Sequence, residues 1–385
     1  MKILIVSTGP VLPVKSGSQR FILDYCNMLT SLGYEVYYLW AISRHRKEEN
    51  IRNKEISLSE MSKVFGKRLL IYHIPLIAQV RQKAFSLYHK LSSTNFIGCD
   101  ENYPKGIDKY INDINQQYNF DACIVNYFWL SKLIPLISIP RKAIITHDCF
   151  TFYNLRNNTN RLLNMMPNEE AKYLQRCPVI FAMQDEEAQF FRRLSPKSKV
   201  LTNYCFSQFK KQKQTGNHNI LYLSGSLYAS INGIKWFIDD VFPLIKKDYK
   251  DSKLLIAGTI CDSLNEYRHM GGIELLGKVD SADDFYAMGD VAINPTFQGS
   301  GLKIKTIESL SHEKVTIVHP HSTEGLFDRA ESPLLSSKEP SEWLFFFHEI
   351  WDNPSRIKRI KEENKKYIER MNAFIISQFQ EFLLG

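Results

Sequence analysis

The stretch at residues 290–326, DVAINPTFQGSGLKIKTIESLSHEKVTIVHPHSTEGL, decides the fold of this chain. Its pattern predicts a short buried strand at residues 290–295, a glycine loop at residues 298–301 and a helix at residues 302–311. A second apolar strand, residues 315–318, follows at once. The order strand, glycine turn, helix, strand is typical of a parallel α/β sheet.

This unit predicts a pocket for an anion. Glycines let the backbone approach a ligand, the first amides of a helix have no partners within the helix, and the helix dipole favours negative charge there. Lys303 and Lys305 add positive charge at the same place. We therefore expect a phosphate-bearing ligand. The alternative is an ordinary glycine-rich turn with solvated lysines.

The segment GSGLKIKTIESL, followed by an apolar strand and HSTEGL, resembles the nucleotide-sugar-binding segment of GT-B glycosyltransferases. The resemblance is to the large retaining family (family-4-like, glycosyl transferases group 1) that builds bacterial polysaccharides and glycolipids. That family usually carries two glutamates flanking seven residues here. Glu308 keeps the second glutamate, and Ser300 stands in place of the first. The resemblance implies that Glu308 holds the nucleotide ribose and that Ser300 lies near the transferred sugar.

Length and composition indicate a globular protein of two domains. The chain has 385 residues, of which 44% are hydrophobic and 23% charged, and each half is long enough to bury a core. The net charge of +8 suits an acidic partner such as a membrane surface, a nucleotide or nucleic acid. We find no RNA-binding or DNA-binding signature and expect no nucleic-acid partner.

The sequence predicts a cytoplasmic protein without a metal site. It has no run of about 18 apolar residues, and its start, MKILIVSTGP, leads directly into a strand. The seven cysteines show no metal-like spacing, so we expect reduced thiols. They are Cys26, Cys99, Cys123, Cys149, Cys177, Cys205 and Cys261.

The first half opens as a β-α-β unit without the GxGxxG of dinucleotide dehydrogenases. Residues 1–7 predict a strand buried on both faces. The resemblance implies that the loop with Ser16, Gly17 and Ser18 faces a cleft between the domains, where its amides meet a diphosphate or the acceptor. A plain strand-to-helix turn is the alternative.

The segment from residue 43 to residue 98 is irregular, basic and rich in aromatic and aliphatic residues. Amphipathic helices of this composition can lie on anionic lipid, and the resemblance implies an inner-leaflet membrane contact for this part of the first domain. The alternative is a solvated helix face.

A histidine ends the strand predicted at residues 142–147. Ligands of open α/β sheets bind at the carboxyl ends of parallel strands. The resemblance implies that His147 lies close to the transferred sugar, with Asp148 at the cleft. The alternative is structural, with Asp148 capping the following turn.

The best linker is TNYCFSQFKKQKQTGNHN, and it predicts a domain boundary near residues 205–218. We therefore predict an acceptor-binding domain, 1–208, completed by a C-terminal helix at about 360–385. A nucleotide-sugar-binding domain, 209–359, lies between them. The predicted fold class is α/β, a GT-B fold of two Rossmann-like doubly wound domains facing each other across a cleft.

The second domain departs from the family in the loop GSLYASINGIKWF. The family often supplies an arginine and a lysine here to hold the diphosphate. This loop offers Ser226, Asn232 and a helical Lys235, so Lys303 and Lys305 have to supply the charge. The donor site implied by the resemblance comprises Gly225, Ser226, Lys278, Val279, Gly299, Ser300, Gly301, Leu302 and Glu308.

The resemblance implies transfer of a sugar from a nucleotide-diphosphate-sugar to a glycan or lipid-linked acceptor hydroxyl, with retained stereochemistry. His147, Lys303 and Lys305 are the predicted catalytic residues, no metal is required, and the donor is a co-substrate rather than a cofactor. Three alternatives stay open: a nucleotide-sugar epimerase of the same fold, a catalytically silent nucleotide-binding or scaffold protein, and a nucleic-acid binder.

Overall fold

The computed structural model describes residues 1–43, 48–91, 100, 103–157, 164–299 and 301–385. The chain divides into two units, Met1–Phe206 with Ile375–Gly385 and Ser207–Phe374. The sequence predicts boundaries at 208/209 and about 359/360. The structure puts them at 206/207 and 374/375, because one long C-terminal helix supplies residues to both units.

The first unit contains a parallel sheet made from short apolar runs, whose order among the described residues is β3-β2-β1-β4-β5-β6-β7. Strands buried on both faces of a parallel sheet are expected to be almost continuously apolar, as these are. The strands are β1 (Lys2–Ser7), β2 (Glu35–Ile42), β3 (Leu69–His73), β4 (Ala122–Asn126), β5 (Arg141–Ile145), β6 (Val179–Ala182) and β7 (Lys199–Thr202).

Helices connect these strands. They are α1 (Gly17–Ser31), α2 (Glu48–Phe65), α3 (Leu76–Leu91), α4 (Ile107–Tyr118), α5 (Tyr153–Asn157), α6 (Pro167–Leu174) and α7 (Asp185–Leu194). The segment predicted as irregular from residue 43 to 98 thus contains a strand, β3, between two helices. Its residues 44–47 and 92–99 lie outside the described part of the chain.

The second unit has a parallel sheet of the same topology, with the order β10-β9-β8-β11-β12-β13. Its strands are β8 (Asn219–Leu223), β9 (Lys253–Ala257), β10 (Ile273–Gly277), β11 (Val291–Asn294), β12 (Val315–Val318) and β13 (Leu335–Ser336). Two Rossmann-like parallel sheets with connecting helices confirm the predicted α/β fold class.

The helices of the second unit begin with α8, which leads through a π-helical turn, Phe237–Val241, into α9. They are α8 (Tyr228–Trp236), α9 (Phe242–Asp248), α10 (Ala282–Tyr286), α11 (Ile304–Ser311), α12 (Pro340–Trp351) and α13 (Pro354–Leu384). The helix predicted at residues 302–311 starts two residues later, because Lys303 is the N-cap with φ −83° and ψ 67°.

The last turns of α13 complete the core of the first unit. The Phe379 ring stacks on the Phe181 ring at 4.7 Å between centroids and on the Tyr25 ring at 5.8 Å. Phe382 meets Phe181 edge to face. The six described cysteines are buried free thiols, in agreement with the predicted reduced state.

In each sheet the strand order reverses at one place, between β1 and β4 in the first unit and between β8 and β11 in the second. Connections on either side of such a point run in opposite directions, which leaves a crevice at the carboxyl ends of the strands where ligands of α/β proteins bind. We therefore expect ligand-binding residues in the loops after β1 and β4 and in those after β8 and β11.

Candidate active site

His147 lies near the reversal point of the first unit, two residues after β5 ends. Its backbone is left-handed, with φ 65°, and its ring stacks on the Tyr127 ring at 4.1 Å between centroids and 27° between planes. Its Nε2 lies 2.9 Å from Oδ1 of Asn126, the last residue of β4. His147, Tyr127 and Asn126 thus form one cluster at neighbouring strand ends. We call this cluster, together with Ser18, the aromatic site.

The imidazole of His147 is neutral. Burial lowers the pKa of His147 to about 3. Asn126 donates from Nδ2 to the Val6 carbonyl oxygen, so its Oδ1 is the acceptor and His147 Nε2 carries the proton. The other ring nitrogen, Nδ1, is then an acceptor, buried and without a hydrogen-bond partner among the described residues.

The loop with Ser16, Gly17 and Ser18 reaches the same cluster. Ser16 is the N-cap of α1, its Oγ accepting from the Gln19 amide, and Gly17 is the first helical residue. Burial raises the pKa of the Tyr127 hydroxyl, and the nearby Ser18 side chain lowers it. Phe21 of α1 meets the His147 ring edge to face at 5.5 Å between centroids, so the helix that starts in the predicted acceptor loop contacts His147 through a residue that the sequence analysis did not single out.

Asp148 supports the loop that follows His147. Its Oδ1 accepts from the Cys149 amide at 2.9 Å, which agrees with the capping alternative. The next residues of the loop are held by Glu170, which accepts from the Phe150 amide at 2.9 Å and the Thr151 amide at 2.8 Å. Glu170 lies on α6, and its role rests on a contact 20 residues away along the chain.

Lys305 anchors the reversal point of the second unit. Its Nζ donates to Ser230 Oγ at 2.9 Å, to Ser224 Oγ at 3.0 Å and to the Tyr222 hydroxyl at 3.3 Å. An ammonium group has three N–H donors, so these contacts use all of them. Lys305 therefore joins the start of α11 to the loop after β8 and contributes its charge there. We call this region, with Gly299 and Lys303, the lysine site.

The glycine loop after β11 is held at the Gly299 carbonyl oxygen. Lys303 Nζ donates to this oxygen at 3.1 Å and His321 Nε2 at 2.8 Å. Gly299 and Gly301 have φ of 100° and 79°, which a side chain rarely tolerates. Leu302 is half-buried, and Ser300 lies outside the described residues.

The strand end that leads into this loop carries unpaired polar atoms. Asn294 Oδ1, Thr296 Oγ1 and Gln298 Nε2 are buried and have no hydrogen-bond partner within the described parts of the chain. Buried polar atoms in native proteins are normally paired with protein or water. Three such atoms lie within five consecutive residues, so ordered water is expected at this strand end.

The loop after β8 is packed closely against its neighbours. The Ser226 amide and hydroxyl bond to Thr259 Oγ1 and to the Thr259 carbonyl oxygen. A Cβ on Gly258, which has φ 100°, would lie 2.1 Å from the Ser224 carbonyl oxygen. Gly225 follows Ser224 directly, so its backbone is part of the same tight turn.

The remaining predicted donor residues surround α10. Lys278 is exposed just after β10, and Val279 packs against a cluster that includes Tyr286 of α10. Burial, and after it the charge of Glu308, raise the pKa of Tyr286. Val279 thus packs against the cluster that contains Tyr286, and the charge of Glu308 acts on Tyr286.

Two further observations concern the described residues as a whole. No group of three or more His, Cys, Asp or Glu side chains there is arranged to hold a metal ion. None of the described helices is both long and apolar enough to cross a membrane.

Solved structures share this architecture over the whole chain. Sucrose-phosphate synthase from Thermosynechococcus elongatus has a TM-score of 0.65 at 10% identity, with 99% of this chain and 98% of that chain covered. A variant of TarM from S. aureus, in complex with fondaparinux, alpha-GlcNAc-glycerol and UDP, has a TM-score of 0.66 at 8% identity with full coverage of both chains. The chain has the GT-B fold. The pneumococcal O-GlcNAc transferase GtfA, solved with UDP and GlcNAc, has a TM-score of 0.64 at 10% identity, covering 100% of this chain and 98% of that one.

Sequence comparisons find two further similarities. Residues 218–344 match the sequence model of the family described as Glycosyl transferases group 1, and this segment contains the whole lysine site. An uncharacterized 44.6 kDa protein in the cps region of Klebsiella pneumoniae is 22% identical over 349 residues, with 84% of each chain covered.

Proposed function

We propose that this GT-B protein is a glycosyltransferase that moves a sugar from a UDP-sugar to a hydroxyl of a glycan or lipid-linked acceptor. The observation that carries the proposal is the lysine site, a cationic glycine loop at the reversal point with three unpaired polar atoms beside it. The match to Glycosyl transferases group 1 over residues 218–344 supports a sugar donor. The UDP bound by TarM and GtfA supports the nucleotide.

The lysine site would stabilise the leaving diphosphate. As the bond between the sugar C1 and the phosphate oxygen breaks, negative charge grows on the diphosphate, and fixed donors and charges aimed at it lower the barrier. The loop amides and Lys303 would contact the phosphates. Lys305 would add its charge and hold the loop after β8 in place. Glu308 would hold the ribose, Lys278 and Val279 would frame the base, and no metal ion is invoked.

The aromatic site would bind the transferred sugar and the acceptor. The neutral imidazole of His147 keeps this site free of charge, and the ring of Tyr127 that stacks on it is suited to an apolar sugar face. We propose a retaining transfer, in which the new bond to C1 forms on the face that the diphosphate leaves. The acceptor hydroxyl gives its proton to the departing phosphate oxygen, so no protein base is needed.

The pathway proposed is cell-surface polysaccharide or lipopolysaccharide biosynthesis, with the protein in the cytoplasm at the inner face of the membrane. The cps-region relative from Klebsiella pneumoniae supports the polysaccharide assignment. The net charge of +8 suits an anionic surface.

Calorimetric titration with UDP, GDP, ADP and their sugars tests the proposal. We expect one nucleotide class to bind, with Lys303→Ala weakening it about tenfold through loss of a charge-assisted contact. Glu308→Ala should weaken nucleosides and nucleotides alike. Lys247→Ala, an exposed lysine on α9, is the matched control and should bind as wild type does.

A folded wild-type protein that binds none of these nucleotides would contradict the proposal and favour a silent GT-B scaffold. Product analysis with the nucleotide-sugar that binds distinguishes sugar transfer from epimerisation. Appearance of an epimeric nucleotide-sugar, without transfer to glycan or water, would assign the site to epimerisation.

A further inference from the structure

A short turn after β12, Pro320–Thr323, is joined to the glycine loop of the lysine site at two places. Ser322 Oγ donates to the Thr296 carbonyl oxygen at 2.7 Å, and His321 Nε2 lies 2.8 Å from the Gly299 carbonyl oxygen. Ser322 is completely buried, so its bond is protected from water. The turn therefore holds the His321 ring in a fixed place beside the loop.

The His321 ring lies between two oxygen atoms that can only accept hydrogen bonds. Its Nε2 faces the Gly299 carbonyl oxygen at 2.8 Å, and its Nδ1 faces Glu324 Oε2 at 3.0 Å. A neutral imidazole has one N–H, whereas the protonated ring has two. Only the protonated ring can donate to both oxygens. In either neutral form, a nitrogen lone pair would face one of the oxygens instead.

The neighbouring His319 is the neutral member of this pair of histidines. Its Nδ1 accepts from the His321 amide at 3.2 Å. Burial, and after it the charge of His321, lower the pKa of His319, while Glu324 raises it and Lys338 lowers it. The charged and titratable groups that the structure places around the His321 ring are therefore His319, Glu324, Lys338 and, through the Gly299 carbonyl oxygen, Lys303.

The Gly299 carbonyl oxygen connects His321 to the anion that the glycine loop is proposed to bind. Lys303 Nζ donates to the same oxygen at 3.1 Å, so two cationic donors occupy its two lone pairs when His321 is protonated. They offset the partial negative charge of the carbonyl beside the bound anion. A diphosphate in turn favours the protonated ring, because an opposite charge nearby stabilises it. Binding of the anion and binding of the proton therefore favour each other.

We propose that His321 is a positioning residue of the donor site and that donor binding transfers a proton from solvent to its ring. This coupling rests on the proposed function and adds to it a proton and a pair of residues, His321 and Glu324. Glu324 orients the ring and stabilises its charge, and the ring holds the Gly299 carbonyl oxygen. As the pH rises and the proton is lost, one of the two bonds is broken and donor binding weakens.

Titration calorimetry with UDP tests the coupling. At about pH 7.5 the terminal phosphate of UDP is already ionised, since such groups titrate near pH 6, and an ordinary histidine is mostly neutral. A proton taken up on binding then goes to the protein, and titrations in buffers of different ionisation enthalpy count it. We expect about half a proton per UDP at this pH and an affinity about fivefold lower at pH 8.5 than at pH 7.

Two variants should abolish the uptake. Glu324→Gln gives the neutral ring a partner on each side, because the introduced amide can donate to Nδ1 while Nε2 donates to the Gly299 carbonyl oxygen. His321→Gln keeps a neutral donor and has no ring to protonate. Both should bind UDP about threefold to tenfold more weakly than wild type at pH 7. The matched controls, Glu331→Gln and His269→Asn, change exposed residues and should take up the proton as wild type does.

Nitrogen NMR of the imidazole rings reads the protonation state directly. The signals of His321 are identified as those missing from the His321→Gln variant. Addition of UDP at about pH 7.5 should change this ring from one protonated nitrogen to two. Circular dichroism shows that each variant is folded.

UDP binding without proton uptake overturns the inference and leaves the proposed function in place. Uptake that persists in His321→Gln or Glu324→Gln also overturns the inference alone, as does an equal loss of uptake in the two controls. Absence of UDP binding to the folded wild type overturns the proposed function and this coupling together. The two failures are therefore distinguishable in the same titration.

Discussion

The aromatic site and the lysine site occupy the same topological position in two sheets and differ in charge. The aromatic site lies at the carboxyl end of β4 and the lysine site at the carboxyl end of β11. Each of these strands borders the reversal point of its sheet and ends in a buried asparagine. Asn126 bonds to His147 and Tyr25, whereas Oδ1 of Asn294 has no hydrogen-bond partner among the residues that the structure describes. The fold determines where a ligand can bind, and the side chains determine its charge.

The two sites therefore suit different chemical groups. The lysine site places two ammonium groups near the glycine loop, which suits a diphosphate. The aromatic site has a neutral imidazole and stacked rings, which suits an uncharged sugar. Substitutions in one site should therefore change nucleotide affinity, and those in the other should change turnover.

The largest effect is expected from Lys305→Met. The substitution removes the charge and leaves the Ser224 and Ser230 hydroxyls without their donor, so UDP affinity should fall about tenfold to hundredfold. Titration calorimetry measures it. The control is Lys235→Met, because Lys235 makes an exposed ion pair with Glu266 and should be silent. Equal losses of UDP affinity in both variants would contradict the assignment of the lysine site.

The second-largest effect is expected from Gly233→Ala, which tests how tightly the lysine site is packed. A Cβ on Gly233 would lie 2.8 Å from the Pro295 carbonyl oxygen, whereas a Cβ on Gly271 would meet nothing within 4 Å. Gly233→Ala should therefore destabilise the second unit by about 1–3 kcal/mol, and Gly271→Ala should not. Urea unfolding measures this in the transition that UDP shifts upward. Similar stability of the two variants would argue against the close approach.

Low pH should lower the stability of the first unit, because His147 is buried in its neutral form. Its folded-state pKa of about 3 lies below the ordinary 6.5, so the unfolded chain binds the proton first. The contribution of the neutral, buried imidazole to the free energy of unfolding is complete above pH 6.5 and is lost as the pH falls toward 3. From pH 7 to pH 5 wild type should lose up to about 2 kcal/mol more than His147→Asn, as urea unfolding at each pH would show. The exposed His269, changed to Asn, should leave the slope as in wild type.

The smallest effect is expected for His147→Ala on turnover. Loss of one neutral hydrogen bond should slow donor hydrolysis or transfer about fivefold to tenfold, with UDP affinity unchanged. His147→Asn should recover part of the rate, because asparagine tolerates a left-handed backbone and alanine does not. A fall in UDP affinity that matches the fall in rate would remove the distinction between the two sites.

Local patterns predicted much of this molecule. The apolar runs located most strands, and the glycine loop with its lysines located the reversal point of the second unit. The predicted start of α11 was two residues early, because the N-cap geometry of Lys303 depends on the loop. β3 was missed, since a short strand at a sheet edge is only partly buried and its sequence, LLIYH, lies among basic residues.

The contacts that define the two sites could not be predicted. Asn126 and Tyr25 are 101 residues apart in sequence, and Lys305 and Tyr222 are 83 apart. Such pairings follow from strand order, which a single sequence does not specify. Ser16 and His147 were identified by the resemblance, whereas Tyr127, which stacks on His147, carries no local signal beyond its position after an apolar strand. The roles given to the site residues stay predictions.

The division of α13 between the units has a consequence for biosynthesis. Residues up to Phe206 leave the ribosome first, but Phe379, which fills their core, follows after the entire second unit has been made. At 5–20 residues per second this interval is roughly 10–30 s. During that time the nascent first unit exposes the apolar groove that α13 will cover, while the second unit needs nothing beyond Phe374. The N-terminal unit in sequence order therefore completes its core only when the last turns of α13 become available.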